Sequence, residues 1–306
     1  MNLTEVEAKP IYSKAVTVAI DADSLIYRAA HIGEKVCKEA EIPKDNPLFE
    51  ELSPDLFIEQ KVVLKGMIDG IVNDIEYELN CKGFGLGEVQ LHYTPKGHIQ
   101  KAKGLKPNFR YGIIDEYNKK VIEAELEDGE ARAEPHPGYK SGRKGMKLPE
   151  GLTELFDFAV EDERAVLADG CESDDVVCYM KAQDIEGVVI AALDKDILNG
   201  SPSGDIGHYN FNKREFVYTD ADDAVINIHR QCLMGDSSDT IKGIFRYGPK
   251  AAEKDIPDDQ CIEDIWDDVL KVYQSKGYSY DYAVLMMRLV DMHQFTGEEV
   301  TLWQPL

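Results

Sequence analysis

Two short apolar runs, AVTVAI at 15–20 and GVVIAAL at 187–193, each end on an aspartate, Asp21 and Asp194. Runs this short, rich in β-branched residues and apolar at consecutive positions, predict strands buried on both faces. SLIYRAA follows the first run and reads as a helix, and residues 54–80 carry apolar side chains at helical spacing from Phe57 to Leu79. EVQLHY (Glu88–Tyr93) predicts a second strand. LTELFDFAV (Leu152–Val160) predicts a helix, RAVLA (Arg164–Ala168) a strand and SDDVVCYMKAQDI (Ser173–Ile185) a helix. This alternation predicts an α/β fold with a doubly wound, mostly parallel central sheet and right-handed crossovers. HYNFNKREFVY (His208–Tyr218) predicts a hairpin at the sheet edge, and the chain after Ala221 reads as helical. Between Thr94 and Lys147 the periodicity fails, which predicts a long functional loop.

In such a sheet, ligands bind beyond the carboxyl ends of the strands. Acidic residues gather at those positions: Asp21 with Asp23, Glu172 with Asp174 and Asp175, Asp194 with Asp196, and Asp236 with Asp239. Carboxylates about 4 Å apart repel by roughly 4 kcal/mol per pair at an effective dielectric near 20. A site built from them stays ionised when divalent cations hold it together, so the pattern predicts two Mg²⁺ or Mn²⁺ ions and phosphodiester chemistry. Glu172, Asp174 and Asp175 also sit where acidic side chains cap a helix. Asp194 and Asp196 would point the same way if LDKDIL stayed extended. Asp236 and Asp239 precede Gly243, Gly248 and Lys250, a glycine-bearing turn between helices that can offer backbone N–H groups to a phosphate.

The formal charge of −24 disfavours indiscriminate nucleic-acid binding, but the basic residues are local. Lys96, Lys101, Lys103, Lys106 and Arg110 fall in a stretch from Leu91 free of acidic residues. Arg132, Lys140, Arg143, Lys144 and Lys147 follow, with Glu134 alone against them. Such clustering suits a groove contacting phosphates; solvated lysine-rich loops are the plain alternative. The six cysteines are scattered without a C-x-x-C pair and read as reduced thiols of a cytoplasmic protein. The seven histidines show no metal-ligand spacing, and neither a signal peptide nor an apolar run of membrane-spanning length is seen.

In VAIDADSL, GCESDDVVCYM, ALDKDIL and LMGDSSDTIKGIFRYGPKAA, together with GYKSGRKG at 138–145, the chain resembles the bacteriophage and bacterial 5′-to-3′ exonucleases and flap endonucleases, whose core is PIN-like. The resemblance spans roughly three quarters of the sequence. It implies a two-metal site, with Asp21, Glu172, Asp174 and Asp175 at the first ion and Asp194, Asp196, Asp236 and Asp239 at the second. Asp23 would be an outer-shell group. It implies that Lys140 and Arg143 act at the scissile phosphate, with Asp175 the third catalytic residue. Tyr139 would stack on an unpaired base or pack the arch, Lys144 would touch a phosphate, and Arg28 would either do so or be an ordinary surface arginine. Gly243, Gly248 and Lys250 would belong to a helix–two-turn–helix element at 231–254 that grips duplex DNA, with a potassium ion possible there.

The implied organisation is a catalytic core over 1–220, with an arch at 94–148, and a C-terminal helical DNA-binding region over 221–306. The implied substrate is DNA with a free 5′ end or flap, or an RNA–DNA hybrid, handled by a monomer without a membrane partner. Two features depart from the family. Thr94 and Pro95 stand where an aspartate often follows the second strand, and residues 111–134 look inserted into the arch. A PIN-type ribonuclease, a junction-binding protein without catalysis, and an acidic Ca²⁺-binding scaffold remain alternatives.

Overall fold

The computed structural model describes residues 14–39, 55–128 and 135–305. Its centre is a six-stranded sheet of β1 (Ala15–Asp21), β2 (Gly85–Tyr93), β3 (Ala165–Leu167), β4 (Val188–Ala192), β5 (His208–Asn210) and β6 (Glu215–Val217). The order is β3-β2-β1-β4-β5-β6, parallel up to β5, with β6 closing as an antiparallel hairpin partner. The chain runs outward from β1 through β2 to β3, and the connection from β3 crosses back to place β4 on the other side of β1, so the crevice of a doubly wound sheet opens beyond Asp21 and Asp194.

Alternate residues of β1 supply two cores. Val16, Val18 and Ile20 pack against α1 (Asp23–Glu39), α2 (Leu56–Cys81) and α5 (Leu152–Ala159). Ala19 faces the other way, onto α6 (Ser173–Gln183) and α7 (Lys195–Gly200) with Val177, Cys178, Ile197 and Leu198. Helix α2 follows from its sequence: Asp55 caps it by accepting the Ile58 N–H at 3.0 Å, and Leu64, Ile68, Ile71, Ile75 and Leu79 form one buried stripe. Each such side chain contributes roughly 1.5–3 kcal/mol on burial.

The stretch from Thr94 to Lys147 corrects the expectation of an irregular loop. It holds α3 (Gly97–Lys103), α4 (Phe109–Asp128) and a 3₁₀ turn at Ser141–Arg143. Ile114, Tyr117 and Val121 recur at helical spacing as a narrow buried stripe, while Tyr111 and Ile122 are exposed among charged and polar neighbours. That stripe packs into the core of the C-terminal helices, α8 (Ala221–Met234), α9 (Pro249–Asp255), α10 (Ile265–Ser275) and α11 (Tyr280–Val290). Arg132 and Glu134 lie outside the described residues. Among the described residues no helix is long and apolar enough to cross a membrane.

Candidate functional site

Asp21 closes β1 in parallel register with His92 of β2. Asp23 opens α1, and its two carboxylate oxygens share the Thr94 N–H at 3.2 Å. Ser173 Oγ lies 2.8 Å from Asp21 Oδ1 and 3.4 Å from Asp23 Oδ2, so one hydroxyl stands between two carboxylates. Burial and the neighbouring Asp23 push the Asp21 carboxyl up to about 7, and burial raises Asp23 as well. Thr94 thus donates its N–H to Asp23, and its Oγ1 accepts the Ser173 N–H at 3.0 Å.

Helix α6 brings three more carboxylates to this end of the sheet. Glu172 and Asp175 form a reciprocal capping box at its start, with the Glu172 N–H donating to Asp175 Oδ2 at 2.9 Å. Glu172 accepts from Lys140 Nζ at 2.5 Å and from the Tyr139 hydroxyl at 2.6 Å. Burial opposes its ionisation, but Lys140 and Arg110 outweigh burial and hold the carboxyl below the usual range. Asp174 has no such close cation, and burial with Asp175 and Glu172 beside it raises its carboxyl well above the usual range.

The Tyr139 hydroxyl also lies 2.8 Å from Asp239, so its single proton serves one of the two carboxylates at a time; Lys140 Nζ lies 3.5 Å from Asp239, and Arg143 pairs with it directly. Residues a hundred positions apart in sequence meet here because the 3₁₀ turn docks on the turn after α8. The Lys140 N–H donates to the Asp239 carbonyl at 2.8 Å, and the Gly142 N–H to Thr240 Oγ1 at 2.9 Å. Lys140 and Thr240 both adopt left-handed backbone, at φ 53° and 65°. For residues with a Cβ this conformation costs on the order of 1–3 kcal/mol and clusters at functional sites.

A second acidic group lies beyond β4. LDKDIL does not stay extended: Asp194 caps α7 by accepting the Asp196 N–H at 2.8 Å, so the two carboxylates sit on a helix start instead of alternating along a strand. Asp196 accepts from Gln231 of α8 at 2.6 Å, and burial, Asp194 and Asp236 push it up to about 7. Asp236 accepts the Ser238 N–H and hydroxyl, both at 2.7 Å. Between α8 and α9 the chain makes two tight turns, closed by an antiparallel bridge between Asp236 and Ile241. Gly243, at φ 56°, packs its backbone on Gly235 and Met234 so closely that any Cβ would clash. Gly248 is the N-cap of α9, and Lys250, its second residue, is exposed.

The structure changes three sequence expectations. Asp175 is fully buried, and both its oxygens face Arg110, at 2.7 and 2.8 Å. Tyr139 is 5 % exposed, wedged edge-on against Tyr111 with its hydroxyl on two carboxylates, which leaves no free face for a base. Arg28 donates to Asn212, just after β5, at 2.9 Å, whereas the Lys140 turn docks on Ser238 to Thr240. Lys144 is exposed just after that turn. Arg110 was legible in sequence only as one cation among five, because nothing local marks it as the partner of a residue 65 positions away.

The donor set is made of carboxylate oxygens, which suits hard divalent cations. Among the described residues no three carboxylate, imidazole or thiol groups stand close enough to grip an ion as they are. Lys140 and Arg143 instead lie against Glu172 and Asp239, the contacts they would have to release for cations to enter.

No protein-family model and no curated protein matches the sequence. Solved structures do match in shape. A structure of the T5 D15 protein co-crystallized with metal ions superposes over 91 % of this chain and 90 % of its own, at a TM-score of 0.51 and 15 % identity. A bacteriophage T5 D15 flap endonuclease variant, in a pseudo-enzyme–product complex with DNA and metal ions, covers 94 % of this chain and 95 % of its own, at 0.50 and 14 %. The polypeptide therefore shares the fold of the T5 D15 protein, a mostly parallel α/β sheet flanked by helices.

Proposed function

We propose that this protein is a metal-dependent 5′ nuclease that hydrolyses DNA phosphodiesters near 5′ ends, as an exonuclease and flap endonuclease. The observation that carries the reading is the meeting of Lys140 with Glu172 and Asp239 over the carboxyl ends of β1 and β4. Basic and acidic groups so placed can hold a phosphate and its counter-cations in one crevice. Asp21, Asp23, Glu172 and Asp174 are the ligands we assign to one Mg²⁺ or Mn²⁺. Asp194, Asp196, Asp236 and Asp239 are those for a second, and Asp175 is left out because Arg110 occupies its oxygens. Bound there, such ions supply a Lewis acid and lower the pKa of an attacking water.

The chain's own residues do the rest. Lys140 and Arg143 turn from the carboxylates to the phosphate and offset the charge that builds on its oxygens. Arg143 offers a bidentate fork and Lys140 a mobile point charge, so their losses are not equivalent. Tyr139 keeps Glu172 and Asp239 oriented while those cations leave. The two turns between α8 and α9, with Lys250 at the following helix start, contact the duplex backbone, and carbonyls there are where a potassium ion would sit. Lys144 adds a phosphate contact at the edge of the crevice.

One observation favours a second reading. Lys140 and Arg143 are latched onto the acidic groups, as a junction-binding protein without catalysis could leave them. A 5′-labelled duplex and a 5′ flap, each incubated with Mg²⁺ and with chelator, decide between the two. Mg²⁺-dependent short products, absent for Asp21→Asn, support the nuclease. Tight binding without product supports the junction binder, and cleavage of single-stranded RNA with indifference to duplex DNA refutes both.

A further inference from the structure

Arg110 is the largest fully buried side chain among the described residues, at 2 % exposure. Its guanidinium makes a two-pronged pair with Asp175, Nη1 to Oδ2 at 2.7 Å and Nη2 to Oδ1 at 2.8 Å. Its Nε donates to the Leu289 carbonyl at 3.0 Å, and Nη2 also to the Asp291 carbonyl at 3.3 Å. The planar group lies 4.6 Å from the Phe109 ring centroid and 5.8 Å from that of Tyr139. Its own backbone N–H is held by Asn108 Oδ1, and the preceding Phe109 N–H by the Gly170 carbonyl, just before α6. One cation therefore fastens the start of α4, the start of α6 and the end of α11.

The Asp175 oxygen that takes Nη1 also accepts the Glu172 N–H. Arg110 thus acts on the closure of the capping box, the turn from which Glu172 and Asp174 project. A lysine in its place can reach one carboxylate oxygen but cannot reproduce a planar fork with a third N–H toward a carbonyl. Ligands oriented by such outer partners commonly lose about 10–100-fold in metal affinity when the partner is changed.

We propose that Arg110 is a positioning residue: through Asp175 it fixes the presentation of Glu172 and Asp174, and it ties that presentation to the placement of α11. Asp175 is its anchor and holds no metal ion. The inference rests on the nuclease reading for what Glu172 and Asp174 do, but the geometry it asserts can be read without cleavage.

The test is Arg110→Lys, followed by Mn²⁺ titration, single-turnover cleavage of a 5′ flap, and amide exchange over 172–176 and 287–291. The expected result is a folded protein with about 10–100-fold weaker Mn²⁺ binding and a matching fall in kcat. KM for DNA stays unchanged, and exchange accelerates in both segments. Unchanged Mn²⁺ affinity and exchange overturn the proposal, as does a rise confined to KM, which would place Arg110 on the DNA instead. Should the lysine variant fail to fold, Arg110→Met with Asp175→Leu removes both charges from the buried site while keeping it filled. That pair should keep measurable Mn²⁺ binding; a loss as complete as in Asp21→Asn would make Asp175 a ligand and sink the proposal. If the native protein neither binds Mn²⁺ nor cuts DNA, the nuclease reading falls, and the exchange result alone then upholds or overturns the positioning role.

Discussion

The two acidic groups at the mouth of the sheet are held by different chemistry. Glu172, Asp175 and Asp239 are each fastened by a cation of the protein itself: Lys140, Arg110 and Arg143. Asp194, Asp196 and Asp236 are hydrogen-bonded by neutral donors, namely the Asp196 N–H, Gln231 and Ser238. Glu172, Asp175 and Asp239 are thus paired within the protein, whereas Asp21, Asp23 and Asp174 beside them have no such cation and are raised by burial and by neighbouring carboxylates. The second group keeps its shape through hydrogen bonds while its charges stay unbalanced. Under the proposed reading, cations entering beside Glu172 and Asp239 would have to displace Lys140 and Arg143, whereas Asp194, Asp196 and Asp236 carry no such latch.

The most severe test is Asp21→Asn, which removes the carboxylate that stands between the two groups. Cleavage should fall by about 10³-fold or more, equivalent to roughly 4 kcal/mol of barrier. Near-normal single-turnover rates would show that the crevice is not the reaction centre. Lys140→Ala should bind DNA yet cut about 10²-fold more slowly, the scale of losing one preorganised charge partner. A selective loss of affinity would place Lys140 away from the reacting phosphate.

Thermal unfolding in chelator separates the groups by sign. Glu172→Gln leaves Lys140 without its carboxylate and should lower Tm. Asp196→Asn relieves repulsion from Asp194 and Asp236 and should raise it, each by about 1–2 °C for a change near 1 kcal/mol. Shifts of the same sign would erase the distinction drawn here.

Acidity offers a further reading. Asp21 and Asp196 titrate near 7 in the fold and lower when unfolded. The native state therefore holds extra protons between those values, and stability without metal declines as pH rises through that window. His92 and His208, pushed down to about 4 by burial, act in the opposite direction. They do so equally with and without Mg²⁺, so they cancel in the difference. The gain in Tm on adding Mg²⁺ should thus be larger at pH 8 than at pH 6. A gain independent of pH would mean that the ion displaces no protons from these carboxylates. The smallest effect is expected at Lys250→Ala. DNA affinity should fall a few-fold across all sequences, and the slope of log affinity against log salt should lose about one unit; an unaltered slope would remove Lys250 from the DNA contact.

Much of the frame was legible because its signals are local. The strands at 15–21 and 188–192 follow from runs of β-branched residues, α2 from a stripe repeating every three to four positions, and the edge hairpin from its turn residues. Helix α4 was hidden because its apolar stripe is narrow and buries against elements 100 and more residues later, which no window of sequence contains. The reversal at LDKDIL was hidden for a related reason: Asp194 can end a strand or cap a helix, and only the short helix behind it settles which.

The sequence by itself determined that buried parallel strands would end in carboxylates and that basic residues would be few and grouped, since hydrophobic periodicity and charge are properties of neighbours along the chain. Tertiary structure decided which cation meets which carboxylate. It gave Arg110 to Asp175, Lys140 to Glu172 and Arg143 to Asp239, because a charge pair depends on distance in space, and the fold alone brings those residues to within hydrogen-bonding reach.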